Sequence, residues 1–513
     1  MRSNRSILSI TLLVVALAWT LWFVFAGFGN HQDPLYWLYK YQHLEGGWMA
    51  VGTLLTGGAV VRIFGAELLP LRLFGWLCTV AAIVLPYCCL LDKDQRKTNL
   101  HWLALTLLLM GYGAFQEFSP GTLTVLLLST IWVLASKSYT IHYTPYIAAI
   151  AAGLAIAVRF PNILVLLVLI PLWKKRSLWC VPIAAATAGL VYLLGYCFVN
   201  PAPMDAAMTS HDLWPMISKL WTNAGMLIGF ILMGIGVLAL KSERMSELVN
   251  ERVRGLMVGL AIVLFIAYTI KPTQWYNIDL TYLISALCIV IAVAASKSSF
   301  SNYQLPIGIA ILAIATLGTD TAWLKLFPAM LCLLPVAAAQ YEKPMRRYVW
   351  WVLVPVTAIV MVRHSTNSIG KNNLIQATTI SAISPYRGIA ITEAQEARIN
   401  QYKTDYKELK SERVLALGQE NHLMRAVTGC EAARYNEFWS NIYDSVYTAK
   451  YQTIIEAERP IVFCSFSPQF KTKPEYKDRQ SAMENMLREH GYMEIERSTY
   501  KYVVFIPNKG VKE

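Results

Sequence analysis

Charge is what this sequence has least of. Only 15% of its 513 residues are Asp, Glu, Lys or Arg, against about a quarter in soluble globular chains. That shortage, with 56% hydrophobic residues, excludes a single soluble domain. No glycine-rich phosphate fingerprint occurs, and the lone Gly418 does not make one, so no nucleotide site is expected. The N-terminal apolar run has no small-residue cleavage pattern and is longer than a signal-peptide core, so it reads as an uncleaved first helix. No basic patch carries a nucleic-acid motif. Residues 1–363 hold 25 Lys+Arg against 14 Asp+Glu, and residues 364–513 hold 20 against 18. Of the net +13, +11 therefore falls in residues 1–363, in short membrane loops where it reads as topology, and +2 in the rest.

What the chain has in abundance is apolar runs of spanning length, recurring from Ile7 to Val362. After Arg363 they stop and the composition turns charge-rich, giving a membrane part, 1–363, and a soluble part, 364–513. Arg2 and Arg5 place the N-terminus in the cytoplasm. The first span, Ile7–Phe28, then delivers the polar segment Gly27–Trp48 to the outer surface. Gly46–Gly65 is short and Gly-rich, and reads as a helix lying in the outer interface with Arg62 and Glu67 near headgroups. Between His142 and Lys174 lie 31 residues, too few for two full spans of about 20. A hairpin turning at Arg159-Phe160-Pro161-Asn162 keeps Lys174–Arg176 inside and puts Arg159 below the outer surface among protein groups. The scheme has about thirteen spans. Its inner segments hold 17 Lys+Arg and its outer ones 8, and its odd parity puts the C-terminal part outside.

That part reads as a modest α/β or α+β domain. It has a helix at Thr392–Leu409, strands at Arg413–Gly418 and Pro460–Ser465, and a hairpin of Tyr492–Glu496 with Tyr500–Ile506. Seven of the nine cysteines lie in apolar spans as packing residues. Cys430 and Cys464 are alone in the soluble part and could pair if it faces an oxidising space.

Three features together carry a resemblance: the uncleaved first helix opening into an outer loop with an early acidic residue, the G-x-E-x-x-P-L-R-L-F-G pattern of Gly65–Gly75, and the short hairpin around Ala152–Pro161. They resemble the polytopic GT-C glycosyltransferases, especially the protein mannosyltransferase and aminoarabinose transferase branch. The resemblance implies a membrane all-α bundle closed by an extracytoplasmic α/β domain. It also implies transfer of a sugar, with inversion, from a polyprenyl-phosphate donor out of the membrane lipid to an extracytoplasmic lipid, glycan or protein, in the bacterial inner membrane.

Carried over by position, Asp33 is the catalytic base or acceptor-orienting group, since an attacking hydroxyl or amine must lose a proton. Asp33-Pro34 is also an ordinary helix start. Glu117 in the QEFSPGT hairpin and Glu45 are the other outer carboxylates. One also reads as a solvated loop tip and the other as the end of the loop helix. Arg159 and Lys271 are the cations for the leaving lipid phosphate, with snorkelling to headgroups as the plainer role. Tyr36, Trp37, Trp275 and Tyr276 are weaker candidates for substrate contact. With Trp48 and Trp214, their tryptophans also fit an interfacial belt. Asp205, His211 and Asp212 share one loop without a defined metal spacing. No soluble cofactor and no metal are expected. A flippase of lipid-linked glycans, and an inactive relative acting as a binding protein, stay open as alternatives. Against the flippase, no internal repeat is apparent; for the binding protein, Asp-Pro stands where the family carries an acidic pair.

Overall fold

The computed structural model describes residues 2–27, 33–46, 50–110, 118–137, 142–201, 304–316, 322–340, short stretches between 350 and 365, 374–409, 413–418, 421–432, 445–465, 484–495 and 502–508. Four helical stretches there are long and apolar enough to cross a membrane: Ile7–Phe25, Leu68–Leu90, Pro120–Lys137 and Phe160–Phe198. Ile7, Leu8, Val14 and Val15 on the first, with Leu178, Leu190 and Leu193 on the last, are exposed. An apolar surface of this kind faces lipid rather than water. Of the expected spans, Ala224–Leu240, Leu256–Ile270 and Leu280–Ala295 lie outside the described residues.

The described helices of the bundle include α1 (Arg2–Phe25), α4 (Leu68–Leu90), α5 (Lys93–Met110), α6 (Pro120–Lys137), α7 (Thr144–Val158), α8 (Val165–Trp173), α9 (Ser177–Phe198), α10 (Gln304–Ala313), α11 (Ala322–Leu331) and α12 (Leu334–Ala339). Their starts are written locally. Asp92 and Gln95 cap each other's backbone N–H ahead of α5, and Ser119 and Thr122 do the same around Pro120 at the start of α6. The expected hairpin is present: α7 ends at Val158, a 3-10 turn covers Phe160–Leu164, and α8 follows.

Two short helices lie at one end of this bundle. α2 (Asp33–His43) follows the first span, and α3 (Val51–Phe64) is a helix within the Gly46–Gly65 stretch, where one was expected. α3 buries Val51–Leu54, Gly57, Gly58, Val60 and Val61 and exposes Arg62, Ile63 and Phe64. Its Thr53 hydroxyl donates to the Val158 carbonyl at 3.0 Å. Gly195 near the end of α9 sits against Val51. The C-terminal ends of α7 and α9 therefore lie on the α2–α3 side. A parallel pair of two-residue strands, β1 (Glu45–Gly46) and β2 (Asn200–Pro201), closes this end.

Beyond residue 373, β3 (Thr379–Ile380) and β4 (Ala390–Ile391) form a small antiparallel pair. α13 (Glu393–Leu409) starts on a Thr392–Gln395 capping box. Then come β5 (Val414–Gly418), α14 (Asn421–Thr428), β6 (Glu431–Ala432), α15 (Ser445–Glu458), β7 (Ile461–Ser465), β8 (Tyr492–Ile495) and β9 (Tyr502–Pro507). The sheet order is β6-β5-β7-β9-β8, parallel among the first three strands and antiparallel thereafter. The Glu67 carboxylate is 3.8 Å from Arg387 of the β3–β4 segment, and the Leu68 N–H donates to the Pro385 carbonyl. Cys430 and Cys464 are both buried and form no disulfide. They cannot pair because they pack on opposite faces of the sheet, Cys430 with Phe463 and Ile461 and Cys464 with Leu415 and Val462.

The sequence suggests that membrane helices hold the Gly27–Trp48 loop. The described core divides that task. Leu35, Leu38 and Tyr41 of α2 share one apolar cluster with Leu54 and Leu71 on the bundle side and with Val414, Ala416, Leu423, Met424 and Phe463 on the sheet side. α2 is thus packed between α3 of the bundle and α14, which lies on one face of the sheet.

Candidate functional site

Asp33 is the first residue of α2, a position where a carboxylate favours the helix dipole whatever else it does. Leu35, Leu38 and Tyr41 recur at helical spacing and turn one face of α2 inward. Tyr41 is wholly buried. Its ring stacks on Trp37 at 5.7 Å, and its hydroxyl donates to the Phe118 carbonyl at 3.3 Å. That bond ties Phe118, just before α6, to α2. Glu117, Lys271, Trp275 and Tyr276 lie outside the described residues, as do Trp48, Trp214, Asp205, His211 and Asp212.

Glu45 sits in β1, paired with Asn200, and its Oε2 accepts from the Tyr39 hydroxyl at 3.4 Å. The Asn200 side chain donates to the His43 carbonyl at 3.1 Å, so the loop's C-terminal end is tied to the end of α9. Of the two aromatic candidates described here, Tyr36 is buried and Trp37 half-buried. The Lys40 ammonium lies over both rings, at 4.3 Å and 5.6 Å from their centroids.

Arg159 caps α7 in an extended conformation. Its Nη1 donates to the Ala315 carbonyl at 3.0 Å, bridging the hairpin to the turn after α10. Among the described residues no carboxylate partners it. Its neighbour Val158 is the residue that Thr53 of α3 bonds, so one short helix separates the backbone of Arg159 from α2. Asp33, Glu45 and Arg159 therefore belong to the same end of the bundle. Among the described residues no three of His, Cys, Asp and Glu gather as metal ligands.

Comparison with solved structures finds ArnT from Cupriavidus metallidurans. Its apo form aligns over 97% of this chain and 97% of that one, at 11% identity and a TM-score of 0.43. The form bound to undecaprenyl phosphate aligns over 98% of each, at 12% identity and a TM-score of 0.44. No protein-family model matches the chain, and no curated protein does.

Three residues went unassigned in the sequence. Arg72, in the Gly65–Gly75 pattern, is 3% exposed, and its Nη1 donates to the Gly27 carbonyl at 2.9 Å. His422 and Arg425 stand on α14 against α2. The Arg425 guanidinium lies 3.6 Å from the centroid of the Tyr39 ring, and its Nη2 donates to His422 Nδ1 at 2.8 Å. The His422 ring is 5.3 Å from that of Tyr36. Burial, with Arg425 and Lys40 acting in the same direction, holds the His422 imidazole well below its ordinary value, so it is neutral. Burial also lowers Arg425, an effect that Tyr39, Cys430 and Glu45 oppose. For Arg72 the available signal was a cation inside an apolar run, which in a membrane helix is a functional or structural site by default.

Proposed function

We propose that this chain is an integral membrane glycosyltransferase of GT-C type. It takes a sugar from a polyprenyl-phosphate carrier and passes it to an extracytoplasmic lipid, glycan or protein acceptor. The observation that supports this most is Arg159, a half-buried guanidinium with one carbonyl partner and no carboxylate against it among the described residues. It stands at the bundle end that carries α2. A cation left this way at membrane depth favours an anion, and a lipid phosphate is the anion that arrives from the bilayer.

In the proposed step an acceptor hydroxyl or amine attacks the anomeric carbon from the face opposite the phosphate. Its proton passes to the Asp33 carboxylate. The carbon–oxygen bond to phosphate breaks, and the electron pair leaves with the polyprenyl phosphate, whose charge Arg159 and Lys271 hold. The anomeric configuration inverts. Glu117 or Glu45 orients the acceptor, and Tyr36, Trp37, Trp275 and Tyr276 contact the sugar. On this reading residues 1–363 are the transferase bundle, residues 364–513 an extracytoplasmic domain, and the N-terminus is cytoplasmic in a bacterial inner membrane. The proposed step uses no soluble cofactor.

The test is a lipid comparison between a deletion strain and its parent. The expected result is loss of one glycan modification and accumulation of a polyprenyl-linked sugar on the non-cytoplasmic leaflet. Accumulation on the inner leaflet would favour a flippase, and no change in either species would remove the transferase reading.

A further inference from the structure

The sheet-bearing C-terminal part is not a cap resting on the bundle, because its apolar face and α2 form one cluster. The contact has a polar half as well. α14 connects the parallel neighbours β5 and β6, so its position is fixed by the sheet. It presents two side chains to α2: His422, 1% exposed, against Tyr36, and Arg425, stacked on Tyr39 at 3.6 Å. Arg425 is held in turn by His422 Nδ1 at 2.8 Å. On the far side of the stack, the Tyr39 hydroxyl bonds Glu45, and β1 is zipped to β2. The line from the sheet to the loop thus runs His422, Arg425, Tyr39, Glu45. A planar guanidinium over a ring fixes both distance and tilt, which a flexible ammonium does not. The stack on Tyr39 and the bond to His422 are the direct contacts of the Arg425 guanidinium, and Glu45 attracts it from beyond the ring.

We propose that Arg425 is a positioning residue of the transfer site: by stacking on Tyr39 it fixes α2, and with it the Asp33–Glu45 segment, so the C-terminal part sets the geometry of the reacting loop. The catalytic consequence rests on the transferase reading above; the positional one does not. Loss of the stack leaves α2 attached through its apolar face but free to shift along it. A shift of the order of 1 Å in a reacting group costs about a hundredfold in rate, while the phosphate contact proposed for Arg159, on the separate α7–α8 hairpin, stays in place and keeps most of the donor affinity.

The test uses the full chain in nanodiscs with Arg425→Ala, Arg425→Lys and Tyr39→Leu, read by hydrogen exchange over residues 33–46 and by turnover. In Arg425→Ala, exchange over 33–46 rises about tenfold while β5 and β7 stay as in the parent. The transfer rate falls between about tenfold and a hundredfold, with the donor KM within about twofold. Arg425→Lys recovers part of the rate. Tyr39→Leu removes the same stack without touching the sheet and reproduces the exchange change, so it decides the matter if Arg425→Ala does not fold. Parent-like exchange over 33–46 in Tyr39→Leu overturns the proposal, as does equal loosening of β5 and β7 in a folded Arg425→Ala. If the parent itself transfers no sugar but the exchange pattern appears, the transferase reading falls and the positional inference stands.

Discussion

Arg72 and Gly27 are joined by a buried hydrogen bond: the Arg72 guanidinium donates to the Gly27 carbonyl at 2.9 Å. Gly27, at φ +93°, also donates its N–H to the Ala390 carbonyl at 2.8 Å. One residue therefore ties the exit of α1 to α4 and to β4, and both of its backbone groups are satisfied. Arg72→Ala leaves that carbonyl without its donor and is expected to cost about 1–3 kcal/mol. A lowered unfolding midpoint in detergent, with the secondary-structure content unchanged, is the predicted outcome. A midpoint equal to the parent's would mean the bond contributes nothing.

Gly57 of α3 lies under Tyr41. A Cβ there would stand 2.4 Å from the Tyr41 ring, and that ring is fully buried, stacked on Trp37 and bonded to Phe118. It has nowhere to move. Gly57→Ala should overpack the α2–α3 contact by about 1–3 kcal/mol, despite the gain in helix propensity. Equilibrium unfolding checks this, and a more stable variant would show that α2 can lift off α3 without cost.

Arg159 spends one N–H on Ala315, leaving the rest of its fork for an anion. Arg159→Ala is expected to weaken binding of undecaprenyl phosphate in nanodiscs by at least about tenfold, since a hydrogen bond to a charged group is worth about 1.5–3 kcal/mol. Arg159→Lys keeps the charge and should lose less. Unchanged affinity in a folded Arg159→Ala variant would return the residue to a purely structural tie between hairpin and α10.

The neutral His422 makes the α2–α14 contact pH-dependent. Its folded-state value lies well below the unfolded one of about 6.5, with burial as the main cause. The stabilisation is complete above about pH 6.5 and declines as pH falls below it, by at most about 1.4 kcal/mol per unit. Protonation would place a third positive charge beside Arg425 on its own helix and Lys40 on α2. His490, raised by the Met486 carbonyl and Glu456, acts in the opposite sense, its share being lost as pH rises. The difference between the parent and His422→Gln isolates the first effect. That difference should shrink steadily from pH 7 to pH 5, and a constant difference would contradict the assignment.

Much of the local architecture was legible in the sequence. The residue count between His142 and Lys174 required a turn, and the Arg159–Asn162 segment supplies it. Strands β5, β7, β8 and β9 fall within about two residues of their sequence limits. α14 was not legible: eight residues, Asn421–Thr428, are too few for periodicity to separate a helix from a loop. Nor was the partner of α2. The spacing of Leu35, Leu38 and Tyr41 says which face is buried, but not that α14, far along the chain and seated on the sheet, packs against α2. That failing also hid Arg425, since a cation on a short polar stretch looks solvated until the ring it stacks on is known. Glu117, Lys271, Trp275 and Tyr276 fall outside the described residues and keep only their sequence assignments.

The direct test of the account is a paired measurement on the full chain in nanodiscs, with the polyprenyl-linked sugar that accumulates in a deletion strain as donor. Transfer and donor binding are compared between the parent and Asp33→Asn. If α2 carries the base, Asp33→Asn binds the donor as the parent does and transfers at least about a hundredfold more slowly. Transfer at the parental rate with the carboxylate gone would contradict the central claim.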